Sequence, residues 1–254
     1  MRVWSLSFFA SLLCDAKSFD VIGGYAMFTN VNLPAPIGVL LFLGAGLVIA
    51  LTCLLLVYAL VRKKNVIRKF AFLTLAMVAG AYLALMLIFS WSSSDRVLLR
   101  GQEKHFCEID CHLAYSVLDV KQTKSLGNPP QTLNASGIFY LVTVRTRFDE
   151  TTISPRRGSG PLSPNPRLLT VIDSNGTRYS PSAAAQTALQ QSTGSGMPIT
   201  TALRPGESYS TTVVFDLPET IQHPVLLINE RDWITHFVIG HENSVAHKKT
   251  TFQI

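Results

Sequence analysis

Two long apolar stretches dominate the hydrophobic pattern of the chain. Residues 36–61 and 70–91 contain no charged side chain. Each stretch is long enough for a helix that crosses the roughly 30 Å hydrocarbon layer of a bilayer. Because the connecting residues 62–69 are few, the pattern predicts an antiparallel transmembrane hairpin that occupies residues 36–91.

The remainder of the chain, residues 95–254, shows the two-residue alternation that is typical of strands. In residues 138–148 the apolar side chains fall on one face, and Thr143, Arg145 and Arg147 fall on the other. Seven short strands separated by turn signals predict an all-β sandwich of the immunoglobulin-like type. Beside 138–148, strands are predicted at 112–121, 167–173, 208–218, 223–230, 233–240 and 249–254, and one or two helical turns at 183–191.

The first part of the chain, residues 1–35, has no single interpretation. Its start carries one positive charge and a short apolar stretch, as a signal-like segment would. An interfacial segment fits the same pattern. A third interpretation places the true start at Met27. We therefore divide the chain into this N-terminal segment, the hairpin 36–91 and an outer domain 95–254.

The positive charge of the chain is concentrated between the two apolar stretches. The net charge is +6. Cytoplasmic loops of membrane proteins are enriched in Lys and Arg, so the basic loop 62–69 is predicted to be cytoplasmic. Both termini and the β domain are then extracytoplasmic, at the inner (plasma) membrane. We find no basic face of the kind that nucleic-acid binding requires. The five basic residues of the loop are Arg62, Lys63, Lys64, Arg68 and Lys69.

The sequence HFCEIDCH, which follows the second apolar stretch, contains the candidate site residues Cys107 and Cys111. An extracytoplasmic position favours oxidation of the two thiols, so the leading prediction is a disulfide between them. On a regular strand their α-carbons would lie about 13 Å apart. The disulfide therefore requires a turn at residues 108–110. A reversible thiol pair and two free, buried thiols are weaker alternatives.

A metal site is the principal alternative for the same residues. Two thiolates with histidine ligands suit copper or zinc, and the candidate ligands are Cys107, Cys111, His112 and His241. The layout of a two-helix hairpin, a β domain and a Cys-x-x-x-Cys loop is similar to that of subunit II of cytochrome oxidases. That family has its copper loop near the end of the domain, whereas this one lies at the start. It also has a histidine where this chain has Tyr115.

The motif LRPGESYSTTVVFDLP at 203–218, preceded by VIDSNGTRYSP at 171–181, resembles a family of bacterial cell-envelope domains. The family has an immunoglobulin-like sandwich, is largely of unknown function and is often tethered as lipoproteins. The resemblance covers about 100 residues and implies the sandwich fold for the outer domain. The Cys-x-x-x-Cys-His stretch and the two-helix anchor depart from the family's usual pattern.

Motifs of the common enzyme classes are missing from the sequence. It has no Gly-x-Ser-x-Gly, phosphate loop, dinucleotide fingerprint or His-Glu-x-x-His. We therefore predict no catalytic residue and no cofactor. The leading hypothesis is a tethered binding or assembly module with an unidentified protein partner in the envelope and the lipid bilayer as its anchor. A copper- or zinc-binding or electron-transfer protein is the alternative, and an enzyme that works through acidic pairs comes third.

Overall fold

The computed structural model describes residues 28–107, 112–130, 132–153 and 157–254. The chain forms two compact units. The helical unit consists of Val31–Ser94 and Asp232–Lys248, and the described part of the β unit lies within residues 28–30, Asp95–Arg231 and Lys249–Ile254.

Two long apolar helices form most of the helical unit, as predicted. Helix α1 spans Ala35–Val61 and helix α2 spans Asn65–Ser92. At 1.5 Å per residue each is about 40 Å long. Ala59 and Ala71 are almost completely buried where the helices meet near the connecting turn.

The side chains of these helices face outward to an extent that a soluble core helix does not allow. Only 6% of the most apolar stretch of each helix is buried. Leu40 and Leu54 are each 68% exposed, and Phe70 is 63% exposed. Most of the apolar surface of both helices is therefore exposed in this chain.

Within the described ranges, ten strands form two five-stranded sheets in the β unit. The first sheet has the order β1-β3-β4-β5-β8 and the second the order β2-β10-β9-β6-β7. The pairs β1–β3 and β2–β10 are parallel and the others antiparallel, so both sheets are mixed. The strands are β1 Phe28–Thr29, β2 Arg96–Leu98, β3 Lys104–Phe106, β4 Leu113–Leu126, β5 Leu133–Phe148, β6 Arg167–Ile172, β7 Arg178–Tyr179, β8 Ser208–Leu217, β9 Val225–Glu230 and β10 Thr250–Gln253.

One hydrophobic core joins the two sheets. It contains Tyr115 and Val142 from the first sheet and Val171, Ile228 and Phe252 from the second, all of them fully buried. The predicted faces of β5 are confirmed, because its alternate apolar residues point into this core. The two-sheet β domain is thus confirmed.

The other face of the first sheet is partly covered by helix α3, Ala183–Ser192. Ser182 begins the helix, and its side chain accepts a hydrogen bond from the Ala185 N–H. Leu189 packs with Phe139 and Val214, which point away from the main core. The predicted helical turns at 183–191 are confirmed.

The predicted strand at 233–240 is wrong. Trp233–Phe237 form a 3₁₀ helix, and residues 232–248 belong to the helical unit. The eight-residue apolar run has the length of a buried strand, but it packs against helices and not in a sheet. Strands β1, β2, β3 and β7 were not predicted, because two or three residues are too few to show alternation.

Candidate functional site around strand β3

Strand β3 divides the polar side chains of the β unit into two clusters. It lies between β1 and β4 in the first sheet. Because successive side chains of a strand point to opposite faces, Glu103 and His105 lie on one side of β3 and Lys104 on the other. Lys104 is completely buried and His105 is 6% exposed. We call the polar side chains on the side of Glu103 and His105 the outer polar cluster, and those on the side of Lys104 the inner polar cluster.

The outer polar cluster consists of Glu103, His105, Arg145, Arg147 and Asp149. The Arg147 guanidinium donates to both carboxylate oxygens of Glu103, at 2.8 Å from Nε and 2.6 Å from Nη2. Arg145 Nη2 donates to Glu103 Oε1 at 2.7 Å. Arg147 Nη2 also donates to Asp149 Oδ2 at 3.1 Å, and His105 Nε2 lies 3.0 Å from the same oxygen. Two carboxylates therefore balance two guanidinium groups.

Asp149 is the most constrained carboxylate of this cluster. It caps the short 3₁₀ helix Glu150–Thr152, where its Oδ1 accepts from Thr151 N at 3.0 Å and Thr151 Oγ1 at 2.7 Å. Burial acts to raise the pKa of Asp149, but the hydrogen bonds from Thr151, His105 and Arg147 outweigh it and hold the pKa well below its usual range.

Glu103 behaves in the same way. Burial acts to raise its pKa, and the hydrogen bonds and positive charge of Arg147, with the charge of Arg145, lower it overall. A general acid or base works best with a pKa near the operating pH. These two carboxylates are instead suited to remain charged acceptors at neutral pH.

The inner polar cluster connects the two sheets. Lys104 Nζ donates to the Ile228 carbonyl at 3.1 Å and to the Thr250 carbonyl at 3.0 Å. The same ammonium lies 4.9 Å from the centroid of the Phe106 ring. The carbonyl groups and the ring replace part of the hydration that a buried cation loses.

Arg167 and Glu230 form an ion pair in the same region, with Nη1 3.3 Å from Oε1 and side chains 1% and 7% exposed. Glu230 Oε1 also accepts from Asn30 Nδ2 at 2.9 Å, and Asn30 Oδ1 accepts from the Cys107 N–H at 2.8 Å. The inner cluster thus fixes the backbone where the Cys-x-x-x-Cys stretch begins.

Of the two cysteines in the predicted disulfide, only Cys107 lies in the described part of the chain. Cys107 is 2% exposed and its sulfur is in a disulfide, whereas Cys53 is a free cysteine. No disulfide joins two cysteines that both lie in the described part of the chain. Cys111 lies outside the described residues, so its pairing with Cys107 stays a prediction.

The two histidines of the predicted metal site belong to different units of the chain. His112 is in the β unit, where its ring stacks on Phe148 and Nδ1 lies 2.9 Å from Thr152 Oγ1. His241 is in the helical unit, and its Nδ1 accepts from the Asn243 N–H at 2.9 Å. Among residues 28–107, 112–130, 132–153 and 157–254, no group of three His, Cys, Asp or Glu side chains is placed to hold a metal ion. The copper or zinc site stays a prediction.

The polar clusters were missed at the sequence level for a clear reason. The sequence pattern puts the arginines of β5 on the face opposite the core, and the structure confirms this. Their partner Glu103 precedes a three-residue strand that has no alternation to detect. The sequence around Glu103 contains no pattern that predicts its contact with two arginines.

Comparison with known proteins gives no family. No family model matches the chain, and no curated protein is similar to it. A conserved hypothetical protein from Bacillus anthracis is similar in structure, with 16% identity, a TM-score of 0.38 and coverage of 48% of this chain and 84% of that chain. The secreted protein MPT63 from Mycobacterium tuberculosis has 12% identity, a TM-score of 0.39 and coverage of 64% and 100%. At these scores the likeness carries no argument about this chain.

Proposed function

We propose that the chain is a membrane-anchored, extracytoplasmic β domain that acts as a binding or assembly module of a bacterial cell envelope. The observation that carries the proposal is the outward-facing apolar surface of α1 and α2. Leu40, Leu54 and Phe70 are each more than 60% exposed on helices with no charge in their apolar stretches. Hydrocarbon is the solvent that makes such a surface favourable.

The chain connections and the basic loop support the orientation. Strand β1 ends at Thr29, shortly before α1 begins at Ala35. Helix α2 ends at Ser92, shortly before β2 begins at Arg96. Both outer ends of the hairpin therefore lead into the same β unit, and the opposite end carries the Lys and Arg residues that favour the cytoplasm.

The non-enzymatic part of the proposal rests on the outer polar cluster. Its carboxylates are held as charged acceptors by Arg145 and Arg147, which leaves neither poised for proton transfer. The two sheets share one core, which supports an immunoglobulin-like sandwich as the finer description of the domain. The partner in this proposal is an unidentified envelope protein.

Reporter fusions in a bacterial host test the anchor and its orientation. Alkaline phosphatase fused after Ile254 is expected to be active, and the same enzyme fused after Lys64 is expected to be inactive. The chain is expected to stay in the membrane fraction after alkaline carbonate extraction. Release by carbonate would refute the membrane spans, and an inactive fusion at Ile254 would refute the orientation. In a matched control, replacing the five basic residues of the loop with Gln is expected to produce mixed orientations.

Photo-crosslinking tests the binding role. A photoreactive residue at Leu168 or Leu118, which are 48% and 40% exposed on the β unit, is placed within reach of a partner surface. We expect one discrete crosslinked product in intact cells at one of these or other exposed positions of the β unit. Its absence at every exposed position tested would contradict a protein-binding role.

A further inference from the structure

Residues 232–248 leave the β unit after β9 and return to it before β10, and they fold against the hairpin within the helical unit. We call these residues the excursion. Its own turns pair part of its backbone. The N–H groups of Val238, His241 and Ser244 each donate to the carbonyl three residues earlier, at 3.3, 3.2 and 2.9 Å. Irregular backbone at membrane depth needs such partners together with cover from neighbouring helices.

The contacts of the excursion with α2 give its position along the hairpin. The Tyr82 hydroxyl donates to the Phe237 carbonyl at 2.6 Å. Tyr82 precedes Ser92, the outer end of α2, by ten residues, which corresponds to about 15 Å along the axis. Ser244 Oγ lies 3.5 Å from Ser90 Oγ, closer to that end. The excursion therefore extends along the outer half of α2.

Helix α1 approaches the excursion equally closely. A Cβ built on Gly38 would lie 2.8 Å from the Ile239 carbonyl oxygen and 3.2 Å from Val238 Cγ1. Ile239 is 1% exposed. The carbonyl of the next residue, Gly240, accepts a hydrogen bond from the Asn32 N–H at 2.8 Å. Both helices thus hold the excursion at the same end of the hairpin.

The 3₁₀ helix of the excursion turns large apolar side chains away from the hairpin. Trp233 is 67% exposed, Ile234 40% and Phe237 47%. The Trp233 and Phe237 rings meet edge to face, with centroids 5.8 Å apart. By contrast, the polar residues His241–Ser244 are all buried. Residues 233–244 thus expose three large apolar side chains and bury four polar residues, although His236 in the same 3₁₀ helix is also exposed.

We propose that the excursion is seated in the outer leaflet of the bilayer, with Trp233, Ile234 and Phe237 in contact with lipid acyl chains. This inference rests on the proposal that α1 and α2 span the membrane. Lipid is the occupant because Leu83 and Leu85 of α2, next to Tyr82, are 51% and 39% exposed. These leucines follow Tyr82 along α2, so apolar side chains of the helix are exposed at the level where Phe237 is bound.

Tryptophan fluorescence tests the inference directly, since the chain has three tryptophans, Trp4, Trp91 and Trp233. One variant, Trp4→Phe with Trp91→Phe, keeps Trp233 alone. A matched variant, Trp4→Phe with Trp233→Phe, keeps Trp91 at the outer end of α2. Both full-length proteins are reconstituted in phosphatidylcholine vesicles with or without bromine on the acyl chains, and iodide is added as an aqueous quencher.

We expect brominated chains to quench Trp233 at least as strongly as Trp91, and iodide to leave Trp233 largely unquenched despite its exposure on the protein surface. Quenching of Trp91 by bromine together with quenching of Trp233 by iodide alone would overturn the inference and leave the membrane spans intact. If bromine quenched neither tryptophan, both the spans and the inference would be refuted.

Discussion

Gly38→Ala is the substitution that most directly tests how the excursion is held. The new Cβ would lie 2.8 Å from the Ile239 carbonyl oxygen, whereas ordinary contacts begin at 3.4 Å. The oxygen and the helix must therefore separate by about 0.6 Å. The neighbouring atom is backbone, so it cannot move aside as a flexible side chain would.

The destabilisation caused by Gly38→Ala is measured against the same substitution at a matched glycine of the same helix. Overpacking of this kind costs about 1–3 kcal/mol. Alanine also favours a helix over glycine by roughly 1 kcal/mol, and this gain applies equally to Gly44→Ala. Nothing lies within 4 Å of a Cβ built on Gly44. The difference between the two variants therefore isolates the contact with the excursion.

Hydrogen exchange measures the opening of the excursion in the reconstituted protein. A loss of about 1–3 kcal/mol makes exchange through local opening roughly 5- to 150-fold faster. We expect this acceleration in peptides covering residues 232–248, and at the Asn32 N–H, in Gly38→Ala but not in Gly44→Ala. Equal exchange in the two variants would refute the packing of the excursion against α1.

Three further predictions concern single residues, one in the helical unit and two in the β unit. Tyr82→Phe removes the hydroxyl that binds the 3₁₀ helix, so exchange at residues 232–248 should accelerate by the equivalent of about 1 kcal/mol, while Tyr58→Phe on the exposed helix surface should not change it. Gly137→Ala places a Cβ 2.1 Å from the carbonyl oxygen of Leu217 in β8, so it should destabilise the β unit by more than about 3 kcal/mol in thermal unfolding. The control is Gly160→Ala, whose Cβ would meet nothing within 4 Å. A loss of stability in Gly137→Ala no larger than that of the control would contradict the register of β5 and β8. The folded state holds the pKa of Asp149 below its usual range, so the stability that ionised Asp149 contributes is complete above about pH 4 and is lost as the pH falls further. The free energy of unfolding by denaturant should therefore depend less on pH between about 5 and 2 in Asp149→Asn than in the original protein. Parallel pH profiles of the two proteins would exclude this contribution.

The helices and the long strands were predictable because their patterns are long. A charge-free stretch of more than 20 residues has few structural solutions, and α1 and α2 extend only a few residues beyond the predicted bounds. In β5 the alternation continues for many residues, so both its faces could be assigned. A shift by one residue would have placed Arg145 and Arg147 in the core.

The polar clusters were less predictable because they depend on pairing between distant parts of the chain. Glu103 meets Arg147 only because β3 pairs with β4 and β4 pairs with β5. The inner cluster needs Asn30, which lies on the other side of the hairpin in sequence, to reach Glu230. No local pattern encodes the contact of Glu103 with Arg147, because two successive strand pairings bring these residues together.

The excursion shows how a correct apolar pattern leads to a wrong element. The run 233–240 has the length of a buried strand, and burial alone does not distinguish a sheet from a helical surface. The sequence does not distinguish Gly38, near the start of α1, from Gly44 of the same helix. A glycine inside a helix costs about 1 kcal/mol relative to alanine, and at Gly38 the structure shows a reason to bear that cost. The close approach of Ile239 supplies the reason, because any larger side chain at Gly38 would exclude the backbone of the excursion.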